Sequence, residues 1–169
     1  MSNRARALRQ PGFVFVALFA LLYLVQHGVY QWVPDRFLAE VVYRHGIVAG
    51  AASVIERVAP GESAVVDGHR LASPRAVLEI VRGCDGSGVL FLLVAAILAL
   101  RAGPLRTAGG LLGALLLVYV LNQLRVVGLY FVAAYRGDWF TPLHGYLVPT
   151  LFVVVAALYF AWWAARVPR

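Results

Sequence analysis

The chain is short of cysteine and of acid, and both shortages are informative. One cysteine, Cys84, stands among 169 residues. No intramolecular disulfide can form, and a dithiol relay of the kind that generates disulfides is excluded. Asp and Glu number 8 against 15 basic residues, for a formal net charge of +7. Asp35, Glu40, Glu56, Glu62, Asp67, Glu79 and Asp85 fall between two long apolar runs, and Asp138 falls between the last two. The N-terminus, the 101–106 connection and the C-terminus carry arginine and no acid. There is no internal repeat and no low-complexity segment. The glycine-rich run Gly83 to Gly88 lacks the Lys-Ser/Thr ending of a phosphate loop. Among His27, His45, His69 and His144 no pair has metal-ligand spacing, and with one cysteine no zinc site is suggested. Neither metal nor cofactor is expected.

What the chain has in abundance is apolar sequence. Hydrophobic residues make up 62% of it, with a mean hydropathy of +0.78. A soluble domain averages nearer half, so the composition points to a membrane protein. Residues 1–169 read as a single membrane domain whose core is a helix bundle in lipid. The basic balance does not point to nucleic acid, because the arginines form no single basic face. Arg4, Arg6, Arg9, Arg101, Arg106, Arg166 and Arg169 flank the apolar runs on one side, and the others sit among the acids.

Four segments are apolar enough to cross a bilayer, which takes about 20 residues. They run from Phe13 to Val33, Gly86 to Leu100, Ala108 to Ala134 and Gly145 to Ala164. The first follows three arginines and lacks a small-x-small cleavage pattern, so it reads as an uncleaved anchor. The second is short, and its ends must sit near the interfaces. The last closes on Trp162 and Trp163, an interfacial aromatic pair. The predicted fold is an all-α polytopic membrane protein with four transmembrane helices. A small extracytoplasmic insertion, helix plus β-hairpin, separates the first two. With the arginine-only flanks kept cytoplasmic, both termini lie inside and residues 34–85 and 136–143 lie outside.

Within 34–85, Phe37 to Val58 looks helical. Its uncharged middle, Gly46 to Ile55, is too short to span, so the helix is expected to lie on the membrane surface. A fifth span there would invert every later segment. Pro60-Gly61 ends the helix. Ala64 to Leu71 reads as a hairpin around Asp67-Gly68, and Ala76 to Val81 as a further strand leading to Cys84.

Cys84 precedes the second span by one or two residues. A helix N-terminus favours a thiolate, Arg82 adds positive charge, and Asp85 opposes it. Gly83, Gly86 and Gly88 clear space for a peptide to approach the sulfur. The alternative is an inert buried thiol. Arg125 lies inside the third span, where a charge costs about 2.5–3.5 kcal/mol on insertion scales. At 1.5 Å per residue from Ala108 it sits about 26 Å along, near the outer boundary of a roughly 30 Å core. Asn122 shares its helical face and is placed to help hold the guanidinium. The other reading is an arginine reaching for outer headgroups. His144 opens the fourth span at the same level, where an interfacial polar residue is the commoner occupant. Cysteine, histidine and arginine brought together from three helices suit thiol acyl transfer.

A glycine-flanked cysteine opening one span, Asn122-x-x-Arg125 inside the next and a histidine opening the last resemble the exosortase/archaeosortase family. These are polytopic membrane transpeptidases, and the similarity covers roughly Ala64 to Phe160. The short length resembles the compact exosortase H-like members. The resemblance implies Cys84, Arg125 and His144 as catalytic residues, supported by Asn122, Gly83 and Gly86. It also implies a thiol protease acting in protein sorting, in lipid. Its substrates would be exported proteins carrying a C-terminal motif, a transmembrane helix and a basic tail. Many members read Cys-Ser-Gly where this chain has Cys84-Asp85-Gly86. Two other readings stay open. One is a rhomboid-like serine protease using Ser87 with His144. The other is a non-enzymatic assembly or transport subunit in which Arg125 is a structural pairing residue.

Overall fold

The computed structural model describes residues 3–167, with side chains from Gly12 onward. Arg169 lies outside the described residues, as do the side chains of Arg4, Arg6 and Arg9. In chain order the elements are helix α1 (Asn3–Trp32), helix α2 (Asp35–Val58), strands β1 (Val65–Asp67), β2 (Arg70–Ala72) and β3 (Val77–Glu79), and helices α3 (Ser87–Ala99), α4 (Pro104–Tyr135) and α5 (Gly137–Ala164). Helices α1 (from Gly12), α2, α4 and α5 are long and apolar enough to cross a membrane. The chain is thus an all-α polytopic membrane protein carrying one small sheet. Helix α3, with 13 residues, is shorter and packs against α1, α4 and α5.

The C-terminal ends of α1 and α4 and the N-terminal ends of α3 and α5 meet at one end of the bundle. Tyr30 bonds to Asp85 there, Arg125 to Cys84, and Cys84 to His144. Helix α2 has the length of a span, but both of its ends are fastened at this end of the bundle. Asp35 pairs with Arg82, which also donates to the Tyr30 and Val33 carbonyls at the end of α1. Beyond its other end, Glu62 accepts from Tyr130 and Tyr135 near the end of α4. Length and composition therefore do not decide where α2 runs; its anchored ends do.

The sheet is an antiparallel meander in the order β1-β2-β3. Asp67 pairs with Arg70 across a Gly68-His69 turn, where Gly68 takes φ +59°. That left-handed conformation costs glycine nothing. Leu71 pairs with Leu78, and both turn inward. They meet Val48 and Ile55 of α2 and Val126 and Tyr130 of α4 in one apolar cluster. Burial of a leucine or isoleucine of this kind stabilises by roughly 1.5–3 kcal/mol relative to exposure to water. A second cluster at the other end of the bundle joins Leu93 and Ile97 of α3, Ala114 and Val118 of α4, and Ala156 and Trp163 of α5. Helix α4 serves both through a stripe at four-residue spacing: Gly110, Ala114, Val118, Asn122 and Val126. At Gly110 a Cβ would lie 2.6 Å from the Trp163 ring, so only glycine admits this approach.

Among the described residues Glu62 is the one buried acid, at 5% exposure. Its carboxylate accepts hydrogen bonds from Tyr130 Oη at 2.6 Å and from the Tyr135 hydroxyl, with Arg75 Nε at 3.5 Å. The two tyrosine bonds, helped by the Arg75 charge, hold this carboxyl below the usual carboxylate range against the opposing effect of burial. A carboxyl whose folded pKa is depressed contributes stability above its unfolded pKa and loses that contribution as pH falls through the folded value. Glu62→Gln should therefore lower the melting temperature in detergent micelles at pH 7. The gap to the native chain should narrow below about pH 4. A gap that stays constant into acid would mean that the charge is not what matters.

Candidate functional site

The site is built on the turn that joins β3 to α3. The Cys84 N–H donates to the Val81 carbonyl at 2.9 Å. On either side of Cys84-Asp85 stand Gly83 at φ +86° and Gly86 at φ +81°. Gly86 is the N-cap of α3. Asp85 secures that helix start: its Oδ1 accepts the Ser87 hydroxyl at 2.8 Å and the Ser87 N–H at 3.3 Å. Its Oδ2 accepts the Tyr30 hydroxyl at 2.5 Å. These bonds face Asp85 toward α1, and Cys84 is left facing α4 and α5.

His144 reaches Cys84 from α5, with Nε2 3.7 Å from Sγ. It lies in a π-helical turn, Leu143–Leu147. Pro149 accounts for the widened turn, since it lacks the N–H that would bond to the Gly145 carbonyl. The imidazole stacks on Phe140, with ring centroids 5.3 Å apart and planes inclined by 7°. Its Nδ1 is buried and has no hydrogen-bond partner among the described residues. The ring is thus oriented by stacking, where a catalytic histidine is more often oriented by a carboxylate. Arg125 comes from α4. Its Nη1 lies 3.5 Å from the Cys84 carbonyl oxygen, and its guanidinium stands 5.8 Å from the Phe152 ring centroid. The three side chains border one cavity of about 470 Å³, with Val77 to Val81, Val126, Leu129, Ala133, Gly137 and Phe140 forming the remaining wall.

The structure brings Cys84, Arg125 and His144 together, and it gives the neighbouring residues other work. Asn122 is 3% exposed, and its Oδ1 has no hydrogen-bond partner. It packs behind Gly86, 3.5 Å from where a Cβ would stand, and makes no hydrogen bond to the Arg125 guanidinium. Gly86 faces Val118 and Asn122 of α4, whereas nothing lies within 4 Å of a Cβ added at Gly83 or Gly88. The charge of Arg82 is engaged by Asp35 and the end of α1. Ser87 gives its hydroxyl to Asp85 and borders a separate cavity with Gly86 and Asn122. Sequence reasoning missed Tyr30, Phe140 and Phe152. For Phe140 the only signal was its four-residue spacing from His144.

Gly86 is constrained twice, by its left-handed backbone and by Val118, whose Cγ1 lies 3.2 Å from the position of an added Cβ. Gly86→Ala should cost roughly 1–2 kcal/mol from the backbone conformation alone, with the clash in addition. Gly88→Ala, where nothing lies within 4 Å of a Cβ, should leave the melting temperature unchanged or raise it. Equal melting curves for the two variants would remove Gly86 from the support of the site.

Three further comparisons bear on these observations. No curated protein sequence and no solved structure matches the chain. The family model described as "Transmembrane exosortase" matches residues 5–162 of the 169. That match covers every helix of the bundle and the turn that carries Cys84, and by it the chain belongs to the transmembrane exosortase family.

Proposed function

We propose that this exosortase is a cysteine transpeptidase that cleaves C-terminal sorting signals of exported proteins through a thioacyl intermediate. The observation that supports this most is the 3.7 Å approach of His144 Nε2 to the only thiol in the chain, beside a buried-edge guanidinium. The thiol proton passes to Nε2, and the sulfur attacks the scissile carbonyl carbon. The oxygen takes up the charge, and Arg125 turns part of its donor fork to it. Among the described residues only one of its N–H groups is engaged, at a long 3.5 Å. Collapse breaks the C–N bond, and the leaving amine carries away the proton held by His144. An acceptor amine or water then attacks the thioester, its proton returns through His144, and the thiolate departs.

The arginine flanks support a site at the outer face of a bacterial cytoplasmic membrane, with both termini cytoplasmic. The substrate would carry a motif, a transmembrane helix and a basic tail, and the helix would be released on acylation. No observation favours Ser87 as nucleophile, since its hydroxyl is spent on Asp85.

Cys84→Ala should abolish removal of the substrate's C-terminal helix, while Ser87→Ala should retain it. The reverse pattern would move the reaction to Ser87, and normal processing by both would make the chain a non-enzymatic subunit. His144→Ala should slow turnover by about 10²–10⁴-fold. Arg125→Lys, which keeps a cation but loses the planar fork, should slow it by about 10²–10³-fold with normal membrane insertion. A maleimide that cannot cross membranes should label Cys84 in intact spheroplasts. Labelling only after permeabilisation would reverse the orientation.

A further inference from the structure

We propose that the free edge of β3 binds the substrate as an added β-strand, so that the enzyme reads the main chain of an extended peptide and delivers its scissile bond to Cys84. This rests on the thiol-transpeptidase reading of the same site. Strand β3 is the last in the sheet order, and among the described residues no strand lies on its far side. On its near side Leu78 pairs with Leu71, Ile80 N donates to the His69 carbonyl at 3.0 Å, and Ser73 N donates to the Ala76 carbonyl at 2.9 Å. Residues 76, 78 and 80 therefore turn their backbone groups toward β2. In an antiparallel ladder alternate residues point the opposite way. The N–H and C=O groups of Val77 and Glu79, and the N–H of Val81, face away from the sheet.

The cavity beside Cys84 lies along that edge. All five residues from Val77 to Val81 border it. A strand that offered a face to a cavity would line it with every second residue; an unbroken run is what an edge gives. Across the gap stand Val126, Leu129 and Ala133 of α4 and Phe140 of α5, an apolar wall suited to alternate side chains of a bound strand. Cys84, three residues beyond Val81, and His144 border the same gap. A volume of about 470 Å³ lies within the range that bound ligands occupy. Main-chain bonding supplies affinity in this mode, and the side-chain pockets supply selection. The occupant is therefore an extended peptide with free N–H groups at the alternate positions that face β3.

The test uses the full chain in detergent micelles and the probe acetyl-Ala-Val-Ala-Val chloromethyl ketone. Cys84 Sγ displaces chloride from this ketone and its proton is lost to base, a change read by intact mass. Single N-methyl groups are then placed on each amide in turn. Chloroacetone, which has no peptide to bind, normalises the reactivity of the thiol in each sample. The expected result is alternation: methylation at every second amide slows alkylation about tenfold, the loss of one hydrogen bond, and methylation between them does not. Val77→Pro removes an edge donor at the first position of the strand, where proline is tolerated. It should slow the parent peptide by a similar factor. Equal rates for all N-methyl analogues, or a parent peptide no faster than chloroacetone, would overturn the proposal. Substrate processing by Cys84→Ala would sink the enzyme reading instead, a separate outcome in a separate assay.

Discussion

One guanidinium fixes the end of the bundle where the site forms. Arg82 donates to the Tyr30 carbonyl at 2.5 Å, to the Val33 carbonyl at 2.6 Å and to Asp35 at 2.6 Å, and it lies 4.8 Å from the Tyr30 ring centroid. The ion pair alone contributes little, because the Asp35 carboxylate is exposed and screened. The two carbonyls weigh more. They belong to the end of α1 and the link after it, where the helix cannot satisfy its own acceptors. Through Arg82, α1, the start of α2 and the Cys84 turn share one set of bonds. Asp85 adds a second attachment to the same tyrosine. Cys84 is thereby held between two anchored neighbours.

The polar residues of the site occupy a seam between the two apolar clusters. Along α4 the buried stripe passes Val118 in one cluster, Asn122 at the seam and Val126 in the other. Arg125 stands beside that stripe and reaches the Cys84 turn. A charge placed nearer the start of α4, at the level of Ala114, would lie among Leu93, Ile97 and Trp163. One placed a turn beyond Arg125 would meet the sheet and Tyr130. The seam is the level at which a cation on α4 finds acceptors and an aromatic face without displacing core.

Much of this was legible in the sequence because it follows from composition and period. The apolar runs mark α1, α3, α4 and α5, and the Asp67-Gly68 turn marks the hairpin. Arginine inside an apolar run marks Arg125, since its cost in lipid demands a reason. What escaped was set by side chains far apart in sequence. Arg82 looked like a cation for the sulfur, and only the fold shows it occupied by Tyr30, Val33 and Asp35. Asn122 shares a helical face with Arg125, yet Gly86 draws it to the α3 side. Glu62 stood in the sequence only as one of the acids between two apolar runs, and the hydroxyls of Tyr130 and Tyr135 that bond it lie about seventy residues away. Periodicity carries no information about such partners.

The brevity of α3 has a consequence for the depth of the site. Its 13 residues rise about 20 Å, against a hydrocarbon layer of about 30 Å. The longer α1, α4 and α5 surround it, so the Cys84 turn is drawn inward, by about 5 Å if the shortfall is shared between both ends. In a bilayer of that thickness the turn would lie at the rim of the hydrocarbon, where water is less concentrated than above the headgroups. On the thiol-transpeptidase reading proposed above, a thioester at that depth would be shielded from hydrolysis. On that proposal the length of α3 would help to set how long the acyl enzyme waits for its acceptor.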